Sequence, residues 1–247
     1  MILRSDETTD VQVPGSGAMR IHWFRPAVEG RFPGLVLYSE IYQVTAPIRR
    51  LAAMLAGNGF VVAVPEVYHE YEPAGTVLAY DPAGTDRGND LKFTKPVAAF
   101  DADAAATLTA LAAHPACNGR LGSFGVCLGG HLAYRAALDP RVSAGACFYP
   151  TDIHSGTLGK GKADDSLARM ADLKAEMLFV WGRQDPHIPF AGREAIRAGL
   201  ETHGIPYEWH ELNAQHAFLR DEGPRYDPAL FLQSMAITLA FYRRTLG

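Results

Sequence analysis

A short glycine-rich segment between a strand and a helix constrains this 247-residue chain more than any other feature. The segment is Gly125-Val126-Cys127-Leu128-Gly129-Gly130. Residues 120–124 before it predict a short buried strand, and residues 131–138 after it predict a helix. A residue at the apex of such a sharp turn is strained, and side chains two positions to either side would collide with the turn or the packed helix. The pattern therefore places Cys127 at the apex of a tight strand-to-helix turn.

Strand and helix patterns alternate along the rest of the chain. After an opening hairpin of residues 11–13 and 20–24, strands are predicted at residues 34–38, 60–64, 120–124, 144–148, 177–181 and 207–211. Helices are predicted at residues 46–56, 96–113, 131–138, 190–202 and 228–243. Such alternation predicts an α/β fold with a mostly parallel, doubly wound sheet and helices on both faces. We expect a single domain over residues 1–247, with a long lid or excursion at residues 66–95 that has no clear period.

Composition excludes several classes of function. A formal net charge of -4 gives no reason to expect a nucleic acid or an acidic membrane surface as partner. No apolar run approaches the roughly 18 residues needed to cross a bilayer. The three cysteines are widely spaced without a CxxC pair, which argues against a disulfide scaffold and a zinc site and favours a cytoplasmic protein. Neither a metal nor an organic cofactor is expected.

A nucleophile flanked by small residues between a strand and a helix is typical of the nucleophile elbow of α/β-hydrolases. A nucleophilic thiol needs a base, and the base needs a group that orients it. In this fold the acid and then the histidine follow the nucleophile along the chain. Asp185 follows the strand at 177–181 and His216 follows the last strand, so both fall at carboxyl ends where α/β sheets place their sites. The sequence predicts that Cys127 attacks an acyl carbon, His216 moves the proton and Asp185 orients the imidazole.

An oxyanion hole is expected from two backbone N–H groups, those of Leu128 and Ile41. Leu128 follows the nucleophile at a helix N-terminus, and Ile41 lies in the loop after the first parallel strand. The same loop carries Glu40, an unusual carboxylate so close to the nucleophile. Burial would raise the pKa of Glu40 and poise it as a switchable base toward the thiol. A structural role of Glu40 as a helix cap is the alternative.

Together these residues resemble the dienelactone hydrolase (carboxymethylenebutenolidase) family of the α/β-hydrolase superfamily. The matching pieces occur in the right order: Glu40-Ile41 with Val44, Pro65, Ala74-Gly75-Thr76 with Asp81-Pro82, the elbow at 125–130, Gly182-x-Gln184-Asp185, and His216-x-Phe218-x-Arg220.

The resemblance implies hydrolysis of a carboxylate-bearing enol-lactone of the 4-carboxymethylenebut-2-en-4-olide type, through a Cys–His–Asp triad and an acyl-cysteine. It implies that Cys127, Asp185 and His216 form the triad and that Glu40 interacts with the thiol. It further implies that Arg220 binds the substrate carboxylate. A second arginine is expected in the excursion, and Arg87 is the nearest candidate. The protein is expected to be a monomer or a small homo-oligomer.

Several alternatives remain open from the sequence. His187 is a competing base, and Asp185 before Pro186 also fits a simple turn. Arg220 and Arg87 could pair with neighbouring surface carboxylates. Val126 and Gln43 depart from the family pattern and affect the expected pocket shape. The rival functions are a general carboxylesterase or thioesterase on the same fold, and a thiol redox sensor or non-catalytic binding protein.

Overall fold

The computed structural model describes all 247 residues and contains one eight-stranded sheet. The strands lie in the spatial order β1-β2-β4-β3-β5-β6-β7-β8. Only the pairs β1–β2 and β2–β4 are antiparallel, and every other pair is parallel. The strands are β1 Leu3–Val13, β2 Gly17–Pro26, β3 Phe32–Tyr38, β4 Val61–Pro65, β5 Cys117–Val126, β6 Val142–Phe148, β7 Glu176–Gly182 and β8 Tyr207–Leu212. The predicted mostly parallel sheet is confirmed.

Six α-helices connect or follow these strands. They are α1 Ala46–Gly57, α2 Pro82–Thr94, α3 Val97–Ala113, α4 Leu128–Ala136, α5 Phe190–Thr202 and α6 Pro228–Thr245, with one 3₁₀ turn at Met170–Asp172. Every residue of β4 is buried, as expected of a strand covered on both faces. Sixty-seven buried residues form one continuous hydrophobic core. None of the helices is both long and apolar enough to cross a membrane.

Two elements differ from the sequence expectation. Strand β1 begins at Leu3, well before the predicted residue 11. The sequence pattern missed its first residues because β1 is an edge strand whose residues are mostly exposed or half-buried. The segment 66–95, predicted to lack regular structure, contains helix α2. Asp81 caps this helix by accepting a hydrogen bond from the Gly84 N–H at 2.7 Å, and Pro82 occupies its first turn. The helix has few apolar residues, so it shows almost no apolar period.

Candidate active site

The elbow forms as expected at the junction of β5 and α4. Cys127 has φ 59° and ψ −124°, a left-handed conformation that a residue with a side chain rarely adopts. A Cβ added at Gly125 would overlap the carbonyl oxygen of Gly129, and one added at Gly129 would overlap that of Tyr38. Glycine is therefore required on both sides. The turn leaves the Cys127 side chain half-buried at the carboxyl end of β5.

Asp185 and His216 come together at the carboxyl ends of β7 and β8. Asp185 Oδ2 lies 2.6 Å from His216 Nδ1, and both residues are buried. The other carboxylate oxygen accepts a hydrogen bond from the His187 N–H at 2.8 Å, which fixes the carboxylate. Because Asp185 occupies Nδ1, the Nε2 atom of His216 is the ring nitrogen left for the Cys127 thiol.

Cys127 and Asp185 both affect the pKa of His216. Burial lowers the pKa of the imidazole, but the negative charge and hydrogen bond of Cys127, together with those of Asp185, outweigh burial and raise the pKa to about 10. The site thus stabilises an imidazolium between an acid and a thiol. That charge pattern suits a group that accepts a proton during a reaction.

Glu40 lies at the carboxyl end of β3 and is almost completely buried, with 3% exposed. Its Oε2 atom is 3.5 Å from Arg220 Nη1 and accepts a hydrogen bond from the Tyr80 hydroxyl at 3.4 Å. Burial raises the pKa of Glu40, although the Arg220 and His216 charges act to lower it. Helix α1 begins only at Ala46 with Thr45 as its N-cap, so Glu40 is not a helix cap.

Arg220 is held beside Glu40 by an aromatic wall. Its guanidinium lies 4.4 Å from the centre of the Tyr80 ring and 5.7 Å from that of Tyr42. The neighbouring acidic residues do not compete for it. Asp221 and Glu222 pair instead with Arg50, at 2.6 and 2.7 Å.

The two predicted oxyanion donors have backbone N–H groups that suit the role. Leu128 is the first residue of α4, so its N–H has no intrahelical acceptor. The Ile41 N–H donates no hydrogen bond within the protein, and Ile41 shares a pocket with Cys127.

That pocket has a volume of about 330 Å³ and brings together Glu40, Ile41, Cys127, His216 and Arg220. His187 also lines it, and its ring lies 4.7 Å from that of His216. Sequence reasoning missed six further polar or aromatic lining residues. These are Tyr42, Thr85, Asn89, Lys92, Thr151 and Arg225.

Arg87 is not brought into this pocket. It is exposed on α2, with its guanidinium 2.6 Å from Glu72 and 2.9 Å from Asp90. Thr85, Asn89 and Lys92 share the helix face that lines the pocket, following the four- and three-residue spacing of one face. Arg87, two residues after Thr85, projects from another face. The direction of the Arg87 side chain is therefore set by helix α2, which the sequence pattern of the excursion did not predict.

One cluster outside the pocket has the spacing of metal ligands, namely His69, Glu70 and Asp103. The buried Lys95 ammonium lies 2.6 Å from both Glu70 and Asp103 and donates to the Val67 carbonyl at 2.9 Å. A cation of the protein thus already neutralises these carboxylates, which marks the cluster as an internal ion-pair network.

Comparison with known proteins adds to this geometry. The sequence profile of the dienelactone hydrolase family matches residues 19–246. The chain belongs to the dienelactone hydrolase family. The expected family and enzyme class, a hydrolase, are confirmed.

Individual relatives agree with this family. A Saccharomyces cerevisiae protein with the provisional name carboxymethylenebutenolidase is 42% identical, covering 96% of this chain and 90% of its own length. The carboxymethylenebutenolidase of Pseudomonas sp. strain P51 is 27% identical and covers 96% and 95% of the two chains. The crystal structure of a provisionally named dienelactone hydrolase from Klebsiella pneumoniae shares the fold, with a TM-score of 0.81 at 23% identity over 98% and 99% of the two chains.

Proposed function

We propose that this dienelactone hydrolase family member hydrolyses a small carboxylate-bearing lactone of the 4-carboxymethylenebut-2-en-4-olide type, with Cys127 as nucleophile. The observation that carries the proposal is the single pocket that holds the half-buried thiol, the Arg220–Glu40 pair and His216, whose Nδ1 is paired with Asp185 behind it. A nucleophile, an oriented base and a cation that suits a carboxylate are the parts that such a reaction needs.

These positions support the following reaction. The sulfur attacks the lactone carbonyl carbon while His216 holds the thiol proton, and the carbonyl oxygen becomes an oxyanion that the Leu128 and Ile41 N–H groups stabilise. The ring C–O bond then breaks, and His216 gives its proton to the leaving enolate oxygen. Water, deprotonated by His216, attacks the acyl-cysteine, releases the open-chain acid and restores the thiol. Asp185 keeps Nδ1 protonated throughout.

Turnover of a dienelactone by purified Cys127→Ala and Arg220→Ala variants tests the proposal. Cys127→Ala should abolish turnover, because no other group in the pocket replaces the thiol. Arg220→Ala should raise KM for a carboxylate-bearing lactone about 10-fold or more and spare a neutral ester, because only the anion loses a charge-assisted hydrogen bond. Activity retained by Cys127→Ala would contradict the thiol mechanism, and equal losses on both substrates would contradict the role of Arg220.

The same measurements separate the rival functions. A general carboxylesterase or thioesterase would turn over neutral acyl esters better than anionic lactones. A thiol redox sensor would show rapid peroxide oxidation of Cys127 and no turnover. Cys147, the closest cysteine in the sheet register, is fully buried, and burial raises the pKa of its thiol, which makes it a poor disulfide partner.

A further inference from the structure

The cations that line the pocket are not equally engaged. Lys92 pairs with Asp152 at 2.9 Å, and Arg220 faces Glu40 at 3.5 Å. Arg225 lines the same pocket and is exposed at its mouth, yet it forms no ion pair and its side chain donates no hydrogen bond. Among the lysines and arginines that line the pocket, Arg225 is therefore the one that is not paired with a carboxylate of the protein.

The backbone that carries Arg225 is well anchored. The Tyr226 N–H donates to the Gly223 carbonyl at 3.2 Å, and the Asp227 N–H donates to the Phe218 carbonyl at 3.1 Å. The Asp227 side chain caps helix α6 by accepting from two N–H groups of its first turn. The position of Arg225 is thus fixed at its Cα, while its guanidinium stays free to meet a ligand.

Arg225 and Arg220 have different neighbours in the pocket. Burial and the His216 charge lower the pKa of His187, and Arg225 and Lys92 also lower it. Arg220 instead acts on Glu40 and Tyr80. The two arginines therefore act on different groups that line the same pocket, Arg225 on His187 and Arg220 on Glu40.

A second cavity continues beyond Arg225. This cavity has a volume of about 250 Å³ and shares Pro224 and Arg225 with the active-site pocket. Its remaining lining includes Gln184, Asn213 and Gln215, and one carboxylate, that of Asp227, which accepts hydrogen bonds from the N–H groups at the start of α6. An anionic group at this boundary would meet a free guanidinium with amide groups close by, which is a favourable environment for a carboxylate.

We propose that Arg225 is a specificity-determining residue that binds a second acidic group of the substrate at the pocket mouth. The substrate class is then a small lactone or ester that carries two carboxylates, one for Arg220 and one for Arg225. The reaction on that substrate rests on the proposed function, whereas the attraction of an anion to this side of Cys127 does not.

Alkylation of Cys127 tests whether the charge of Arg225 attracts an anion to the pocket, and it requires no hydrolytic step. Iodoacetate and iodoacetamide react alike, since the thiolate sulfur forms a bond to the CH₂ carbon and iodide leaves, but only iodoacetate is an anion. Arg225→Gln should lower the ratio of the iodoacetate rate constant to the iodoacetamide rate constant about 3- to 10-fold at low ionic strength. Added salt should reduce the difference between the wild-type protein and the variant. The iodoacetamide rate should not change, which also reports an intact fold. Mass spectrometry assigns the label, and the other two cysteines are buried.

Arg243→Gln is the matched control for this measurement. Arg243 is exposed and forms no ion pair, but it lies near the end of α6 next to Arg244. Arg244 pairs with Glu176 and Glu208 at the amino ends of β7 and β8, away from the pocket. The ratio should be unchanged in Arg243→Gln. An unchanged ratio in Arg225→Gln, or an equal fall in both variants, would overturn the proposal.

Kinetics on lactones with two, one or no carboxylate provide the second arm. Arg225→Gln should raise KM about 10-fold for the dicarboxylate and less than about 2-fold for the neutral lactone, with kcat little changed. Equal effects on all three lactones would overturn the proposed specificity. If the wild-type protein turns over none of them, the proposed function fails, and the alkylation ratio still decides whether Arg225 attracts an anion.

Discussion

Glu40 and His216 act in opposite directions on the Cys127 thiol. An imidazolium at His216, whose pKa is raised to about 10, favours the thiolate. A buried carboxylate in the same pocket disfavours it, because two negative charges would share a space of low dielectric. Arg220 partly neutralises Glu40 across 3.5 Å, so an anionic substrate that engages Arg220 would weaken that pair. The resting thiol would then respond to the charge of the substrate.

We predict that Glu40→Gln raises the thiolate fraction of Cys127. The substitution keeps the size of the side chain and removes its charge. Ultraviolet absorbance of the thiolate, titrated against pH with Cys127→Ser as the blank, measures this fraction in the wild-type protein and in the variant. No increase in Glu40→Gln would contradict a carboxylate that suppresses the thiolate.

Helix α2 shapes the pocket, and it is the element that the sequence pattern conceals. Its face of Thr85, Asn89 and Lys92 lines the pocket, and Gly88 packs against the loop that carries Ile41, the proposed oxyanion donor. A Cβ at Gly88 would lie 2.6 Å from the Ile41 carbonyl oxygen. Alanine normally stabilises a helix interior relative to glycine. At this position we expect the opposite, because the contact forces the loop that carries Ile41 to move.

Gly88→Ala should therefore lower the free energy of unfolding by about 1 to 3 kcal/mol, as overpacking does, and reduce kcat more than it changes KM. Gly57→Ala at the end of α1 is the control, since an added Cβ there meets no atom nearer than 3.8 Å. Denaturant unfolding and steady-state kinetics on both variants measure the difference. A Gly88→Ala protein as stable and as active as the wild type would refute the close approach of α2 to the loop.

The elbow and the strand ends could be predicted from the sequence, whereas the positions of Arg87 and Arg225 could not. The elbow was predictable because its glycines answer a local steric demand, and the strand ends placed Asp185 and His216 because parallel strands share a carboxyl edge. Arg87 was misplaced as a pocket candidate because the direction of a side chain depends on a helix with almost no apolar period. Arg225 carried no local signal at all. Its position depends on where the loop after β8 folds back, which is a tertiary property.

At the scale of the whole molecule, two buried histidines should give stability opposite dependences on pH. His131 in α4 is fully buried with Nε2 2.7 Å from the Ser166 hydroxyl. Burial lowers its pKa to about 4, against the raising effect of Asp164. Between pH 4 and 6.5 the unfolded chain therefore binds more protons at this residue, so stability falls as the pH drops through that range. His216 has the opposite sign, because its pKa of about 10 makes the folded state bind more protons between pH 6.5 and 10.

The contribution of these two histidines to the free energy of unfolding should thus be largest near pH 6.5 and fall on both sides, with a slope of up to about 1.4 kcal/mol per pH unit from each. His131→Gln should flatten the acid side and leave the alkaline side unchanged, whatever it does to stability at neutral pH, because only the titration of His131 is removed. The exposed His203→Gln is the control. Denaturant unfolding at intervals from pH 4 to 10 gives the slopes, and an acid limb equally steep in His131→Gln would show that the buried imidazole does not govern the loss of stability in acid.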